Sequence, residues 1–175
     1  RFGKVGHAPL PPGVDSSPLL VDSRGRTIVE HYLQGVEHRK PNGIAISRLR
    51  PDGSLDRGFG DDGVERIRLR RFYTADPALD DRDRILMAIS LKEPGEVGEP
   101  NDLALIRLRR DGKPEKSFGH DGLLRIPFPT QTHRFIYMEG FDVRGEQAAI
   151  GATNCGANCG ANCEPIVALV DLGAG

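Results

Sequence analysis

The sequence predicts an all-β fold made of repeated four-stranded antiparallel sheets. Three observations support this prediction. A 21-residue segment occurs twice with many identities. The 22 glycines and 13 prolines together make up one residue in five of the 175. Apolar residues nowhere keep helical spacing over about 12 residues. Short strands joined by many turns produce such a composition, so the repeat has to be placed before any single element is assigned.

The duplicated segment defines the repeat. Gly43–Gly63 and Asp102–Gly122 align without a gap and share 10 of 21 residues, including the motif Phe-Gly-x-x-Gly. A third copy of that motif, Phe2–Gly6, lies 57 residues before Phe59, which lies 59 residues before Phe118. We therefore expect one repeat-built β domain over residues 1–175, with units at about 2–58, 59–117 and 118–175.

Each unit contains four predicted strands. The first follows Phe-Gly-x-x-Gly, as in Val64–Leu69, where apolar and charged residues alternate as in a half-solvated edge strand. A hairpin follows, as in Thr27–Val29 after the polar turn Asp22–Gly25. The continuous apolar run Ile85–Ile89 is typical of a central strand buried on both faces. The last strand is the duplicated one and ends at a second turn, Asp52-Gly53 in the first copy.

Two segments depart from this pattern. In unit one, the prolines of Ala8–Pro12 predict a frayed or absent strand. In unit three, Ile166–Val170 is a degenerate copy of the duplicated strand, and Ile166 aligns with Ile44.

Four short antiparallel strands repeated every 40 to 60 residues or so are typical of a β-propeller blade. The predicted architecture is therefore about three four-stranded antiparallel blades, a partial propeller and a fragment of a longer one. Closed propellers have about 4 to 8 blades. Three blades are therefore too few for a closed ring. Further sequence or a second copy of the chain could complete the ring, or the three blades could form an open stack with protected edges.

The motif Ala-x-x-Arg-Leu-x-x-Asp-Gly-x-x-Asp-x-x-Phe-Gly-x-Asp-Gly of Ala45–Gly63, nearly repeated in Ala104–Gly122, resembles the delta-60 repeat family. The resemblance spans most of the chain and weakens before Leu19 and after Thr153. Unit two departs from the family at its middle hairpin, where Asp83 stands in place of glycine. The resemblance implies a β-propeller-like fold in a bacterial protein and an extracellular or cell-envelope location. It implies no reaction and so transfers no catalytic residue.

The repeated motif residues have a structural explanation. The glycines suit turn positions with positive φ, the aspartates can hydrogen-bond the backbone of the same turn, and the phenylalanines supply one large apolar anchor per unit at the blade junction. An alternative is calcium binding by the Asp-Gly loops, but none has EF-hand spacing. The structural motif residues are Asp52, Gly53, Phe59, Gly60, Gly63, Asp111, Gly112, Phe118, Gly119 and Gly122.

The three cysteines of the chain, Cys155, Cys159 and Cys163, lie four residues apart in a duplicated Cys-Gly-Ala-Asn sequence. A local disulfide with one leftover thiol in an exposed loop is the favoured interpretation, and reduced, inert thiols are a second. A metal site is a third, because thiolates suit zinc and iron–sulfur centres. Three ligands without a second pair or histidines do not complete a usual zinc site. The cysteines are therefore metal candidates only, and we predict no cofactor.

Composition argues against several classes of partner. The chain has 24 basic and 25 acidic residues, a net charge of −1, so no global field favours nucleic acid or an anionic membrane. No apolar run reaches the roughly 18 to 20 residues that cross a bilayer, which predicts no membrane insertion. The basic runs Arg66–Arg71 and Arg107–Arg110 alternate with apolar residues, which predicts solvated faces. His120, in place of the Asp of the Phe-Gly motif, predicts a surface turn.

No G-x-S-x-G nucleophile, phosphate-binding loop or dinucleotide motif occurs, so we predict no catalytic residue. The leading hypothesis is a non-catalytic propeller module that serves as a binding or scaffold surface for an unknown protein or glycan ligand in a bacterial secreted or envelope protein, with self-association as a way to complete the ring. The alternatives are a propeller-type hydrolase or lactonase with a metal at the channel, and a thiol or metal sensor built on the cysteine loop.

Overall fold

The computed structural model describes residues 2–10, 16–34, 41–69, 72–91, 102–126, 135–155 and 163–173. Within these residues the fold is all-β, as predicted, with no helix and hence none long and apolar enough to cross a membrane. The strands are β1 (Ser16–Val21), β2 (Thr27–Gln34), β3 (Pro41–Leu49), β4 (Val64–Arg68), β5 (Phe72–Leu79), β6 (Ile85–Leu91), β7 (Asp102–Leu108), β8 (Leu123–Ile126), β9 (Phe135–Arg144), β10 (Gln147–Cys155) and β11 (Cys163–Asp171).

The strands form three antiparallel meanders. Sheet 1 has the order β1-β2-β3-β4, sheet 2 the order β5-β6-β7-β8, and sheet 3 the order β9-β10-β11. Sheets 1 and 2 therefore have the predicted four strands, and sheet 3 has three among the described residues. The first strands lie side by side, since β5 contacts both β1 and β9.

The sheets are offset from the sequence units. β4 and β8 each follow a Phe-Gly motif but pair with the strand before it, β3 and β7 respectively. Both are edge strands. In β4, Val64 is buried and the residues after it alternate between half-buried and exposed, as in the predicted half-solvated edge strand. Residues 8–10 form no strand, as their proline content predicts, and residues 11–12 lie outside the described part of the chain.

Sheets 1 and 2 pack face to face around a first hydrophobic core. β6 is buried along its whole length, which confirms the prediction from its continuous apolar run. Phe59 is fully buried between the two sheets. The other buried members are Ile28, Ile44, Ile46, Phe72, Ala75, Ile85, Met87, Ile89, Leu91, Ala104, Ile106 and Leu108.

Sheets 2 and 3 pack around a second core that contains Phe118 and residues of β6, β7, β9 and β10. In sheet 3, Leu172 is 1% exposed and its N–H donates to the carbonyl of Glu146. Leu49 and Leu108 end β3 and β7 and pair with the first residues of β2 and β6. In sheet 3 that register position belongs to Asp171, and the buried Leu172 follows it. The register therefore keeps Ile166 level with Ile44, as the sequence alignment suggests. The faces differ: Ile166 packs against the core between sheets 2 and 3, so its neighbour Val167 lies on the face that Ile44 occupies in sheet 1.

Candidate functional site

The two glycine motifs meet across the sheets. Gly60 of the first Phe-Gly turn donates its N–H to the carbonyl of Asp111 at 2.7 Å. A Cβ on Gly112 would lie 2.7 Å from the ring of Phe59. The Phe-Gly turn of sheet 1 therefore docks on the Asp-Gly turn of sheet 2, and glycine at position 112 is needed for this close approach.

The predicted turn glycines all have positive φ: Gly53 (84°), Gly60 (58°), Gly63 (98°), Gly112 (85°), Gly119 (59°) and Gly122 (90°). The two turn aspartates also behave as predicted. The carboxylate of Asp52 accepts the N–H of Ser54 at 2.9 Å, and that of Asp111 accepts the N–H of Lys113 at 3.0 Å. These residues bend and fix the backbone.

Phe59 and Phe118 of the motif each lie beneath an arginine. Phe59 and Phe118 are 0% and 1% exposed. The guanidinium of Arg48 lies 4.5 Å from the ring centre of Phe59, and that of Arg107 lies 4.2 Å from that of Phe118. A cation held over an aromatic face away from water is a stabilising contact of about 2 kcal/mol. The phenylalanines are therefore anchors at the sheet junctions, as predicted.

A cluster of charged side chains surrounds Arg48, and we call it the first clamp. Asp22 accepts the backbone N–H of Arg26 and its Nε, the latter at 2.6 Å. Asp56 lies 2.9 Å from Nε of Arg48 and 3.6 Å from the guanidinium of Arg26. Burial raises the pKa of Asp56, but Arg48, together with the N–H of Gly58 and the charge of Arg26, holds that pKa below its ordinary value.

The second clamp repeats this geometry in sheet 2. Asp80 accepts the backbone N–H of Arg84 and its Nε, again at 2.6 Å. Glu115 lies 2.7 Å from Nε of Arg107 and 3.6 Å from the guanidinium of Arg84. The replacement of the motif aspartate by Glu115 therefore preserves the cluster.

Both clamps reach into the following sheet. Arg48 donates to the backbone carbonyl of Arg110, and Arg107 donates to that of Leu172 at 3.1 Å. Arg48 is 5% exposed and Arg107 is 7% exposed. The prediction of a solvated face was therefore wrong for Arg107, because the residue's planar head is needed to bridge two sheets. Arg109 and Arg110 of the same run are exposed, as expected.

Asp83 forms a further link between sheets that sequence reasoning missed. It has a φ of 57°, close to the 69° of Gly25 and the 59° of Gly145, so the hairpin keeps its shape without glycine. Its carboxylate accepts the N–H and the hydroxyl of Ser23 in sheet 1, at 2.9 and 2.6 Å. Burial opposes ionisation, but these hydrogen bonds prevail and lower the pKa of Asp83.

Two of the three cysteines form a disulfide. Cys155 at the end of β10 is bonded to Cys163 at the start of β11, and the two residues are direct cross-strand partners. The expectation of one local disulfide is confirmed, and neither bonded sulfur is a thiolate that could bind a metal. Cys159 lies outside the described residues. Those residues also contain no cluster of three metal-binding side chains.

A buried carboxylate stands apart from the clamps. Glu30 of β2 is 1% exposed, and neither carboxylate oxygen has a hydrogen-bond partner in the described structure. Burial, with a further contribution from Asp76 of β5, raises the pKa of Glu30 to about 8. Burial also raises the pKa of Asp76 and lowers that of the neighbouring, 3% exposed His31. The sequence contains no signal for this group, because Glu30 and His31 lie in an ordinary strand pattern.

The described residues thus contain two repeated structural clamps and, apart from them, the buried acid Glu30. His120 is exposed in its turn, as predicted. Comparison with known proteins finds no matching family model and no matching curated protein.

Proposed function

We propose that the chain is a non-catalytic, propeller-type repeat module that serves as a binding or scaffold surface in a bacterial secreted or cell-envelope protein. The stacking of the sheets supports the propeller architecture. Their first strands lie side by side, each sheet runs outward as a meander, and the first Phe-Gly turn docks on the next sheet. The motif that resembles the delta-60 repeat family supplies the residues of these junctions.

The observation that carries the non-catalytic role is the use of the repeated ionisable residues. Asp56 and Glu115 neutralise buried arginines, and those arginines hold the next sheet through a backbone carbonyl. A catalytic acid or base must be able to reach a substrate and exchange a proton with it. Side chains held in buried ion pairs between sheets instead fix the geometry of the stack.

The Cys155–Cys163 disulfide supports a location outside the cytoplasm. Disulfides persist in oxidising compartments and are rare where cellular thiols keep cysteines reduced. Turns and loops at the ends of such a stack would carry the ligand, because binding residues commonly lie on loops positioned by a rigid scaffold.

The proposal is tested by presenting the purified protein to arrays of glycans and of bacterial surface proteins, and to a panel of ester and lactone substrates with and without divalent metals. We expect saturable binding of at least one arrayed ligand and no turnover. Hydrolysis that is lost on chelation and restored by one metal would refute the non-catalytic role.

Glu30 favours a second candidate, the metal-dependent hydrolase. An unpaired carboxylate at 1% exposure beside Asp76 is costly to bury and would gain from a cation. The test is thermal unfolding with and without Ca²⁺, Mn²⁺ or Zn²⁺. A metal-induced rise in Tm that is absent in Glu30→Gln, and kept in Glu139→Gln with its exposed carboxylate on β9, would support this candidate.

A further inference from the structure

The face of sheet 3 that points away from sheet 2 exposes two large apolar side chains. Val167 and Leu169 of β11 are 72% and 75% exposed. β11 is also an edge strand, since it pairs with β10 alone among the described strands. An open strand edge beside exposed apolar side chains is a template for pairing with another segment.

The matching positions in the other two sheets are completely covered. Ile166, Ala168 and Val170 pack against the core between sheets 2 and 3, so Val167 and Leu169 lie on the opposite face of β11. The residues on that face are Ile44 and Ile46 in β3, and Leu103 and Leu105 in β7. All four of those residues are 0% exposed. In each case a fourth strand lies alongside and the next sheet packs on top. Sheets 1 and 2 therefore both show that a fourth strand and a following sheet cover the corresponding face.

The N-terminal segment 2–10 has the shape of the missing cover. Gly3 donates its N–H to the carbonyl of Asp52 at 2.6 Å, as Gly60 donates to Asp111 at 2.7 Å. The φ values of Gly3, Val5 and Gly6 (50°, 57° and 85°) follow those of residues 60, 62 and 63 (58°, 51° and 98°). Residues 2–6 thus form the same Phe-Gly turn, docked on the Asp-Gly turn of sheet 1.

The apolar residues of this segment lack the partners that their counterparts have. Phe2 is half-buried, whereas Phe59 and Phe118 are at most 1% exposed. Leu10 is 37% exposed, whereas Ile126 at the matching position of β8 is 8% exposed. Residues 2–10 therefore resemble the fourth strand that β11 lacks among the described residues, and β11 resembles the strand that would cover Phe2 and Leu10.

The backbone of the segment also suits an edge strand. Val64 exchanges both backbone hydrogen bonds with Asp61, and Gly63 accepts the N–H of Arg48 of sheet 1. Alternate residues of an edge strand point their N–H the same way, so Arg66 points away from β3. Pro9 occupies the position of Arg66, where a missing N–H costs no ladder hydrogen bond.

From this match we propose that residues 2–10 of a second copy of the chain pair with β11 as the fourth strand of sheet 3. Ile44 faces Ile67 across β3 and β4, and Leu10 holds the place of Ile67 after its Phe-Gly turn. Because Val167 lies on the face of β11 that Ile44 occupies in β3, we place Leu10 of one copy opposite Val167 of the other. Two such head-to-tail junctions join two copies of three sheets into one closed ring of six, within the range of closed propellers. The inference rests on the proposed propeller architecture and deepens it.

One difference sets the character of the junction. Asp171 lies on the face of β11 that carries Arg48 in β3 and Arg107 in β7, and its carboxylate accepts the N–H of Gly173 at 2.9 Å. This end of β11 therefore supplies no guanidinium like those that cover Phe59 and Phe118. The junction depends on the apolar contacts and on the strand pairing.

The test is the mass in solution, by light scattering, of the wild-type chain and matched variants. We expect the wild type to have twice the mass of one chain, and Val167→Asp and Leu10→Lys each to have the mass of a single chain. The combined variant, which places opposite charges across the junction, should dimerise more tightly than either single variant. The control is Val21→Asp, at a different exposed valine (66%), and this variant should remain dimeric.

A monomeric wild type, a dimeric Val167→Asp or a monomeric Val21→Asp would overturn the proposed junction. A combined variant no tighter than the single ones would overturn its register. Circular dichroism and denaturant unfolding of every variant separate loss of association from loss of fold. Ligand binding on the arrays, measured on the monomeric variant, keeps failure of the junction distinct from failure of the proposed function.

Discussion

Replacing Glu30 by glutamine removes the most strongly perturbed acid in the described structure while keeping its size. Glu30 is 1% exposed, its oxygens lack hydrogen-bond partners in the described residues, and its pKa is about 8 instead of 4.5. Burial is the main cause, and the nearby Asp76 adds to it. The folded protein therefore holds a proton on Glu30 at neutral pH that the unfolded chain releases.

The sign and size of the effect follow from this difference. The stabilising effect of holding the proton is fully present below pH 4.5 and is lost as the pH rises through 8. Each pH unit within that window changes the free energy of unfolding by about 1.4 kcal/mol. Between pH 5 and 8 the wild type should lose about 4 kcal/mol from this one group, a large share of the 5–15 kcal/mol typical of a whole domain.

The assay is urea unfolding at pH 5, 6, 7 and 8 for the wild type and Glu30→Gln. Because glutamine cannot ionise, the free energy of unfolding of the wild type should decrease relative to that of the variant as the pH rises. His31, whose pKa is lowered by burial, has the opposite effect below about 6.5, but both proteins share it and the difference between them isolates Glu30. The control is Glu139→Gln, at an exposed carboxylate, which should keep the wild-type dependence.

Parallel stability curves for the wild type and Glu30→Gln between pH 5 and 8 would refute this reasoning. They would mean that Glu30 is solvated or paired in the folded protein, and that the cost of burying its charge does not arise.

Two further predictions concern the turns and the disulfide. Gly112→Ala should lower the free energy of unfolding by clearly more than Gly122→Ala: both have positive φ, which costs about 1 kcal/mol, but only the first places a Cβ 2.7 Å from the Phe59 ring. Equal losses in urea unfolding would contradict the docked turn. Thiol titration of the unfolded protein should find one reactive thiol before reduction and three after it. Cys155→Ser should cost about 2–3 kcal/mol, the loop-closure contribution for a separation of 8 residues to Cys163. Three thiols before reduction would rule out the disulfide.

The local elements of the fold could be predicted from the sequence because their causes are local. Alternation at Val64–Arg68, the continuous apolar run of β6 and the turn glycines each act within a few residues, through side-chain period and backbone sterics. The burial of Phe59 and Phe118 was also foreseeable, since one large apolar residue recurred in each polar turn.

No short-range sequence pattern predicts the contacts between the sheets. A charged side chain in a strand usually faces water, which predicts a solvated Arg107. The packing of sheet 3 on sheet 2 instead places its guanidinium between Phe118, Glu115 and the carbonyl of Leu172. The same holds for the link from Asp83 to Ser23, which joins turns 60 residues apart in sequence.

The sequence by itself determined strands, turns and the existence of a repeat, because these depend on residue type and short-range geometry. Only the tertiary structure decided that each outer strand belongs to the sheet before its motif, that Glu30 loses its water, and that β11 is an edge among the described strands. Those outcomes depend on which faces meet, and a face gains or loses its solvent only when a segment distant in sequence packs against it.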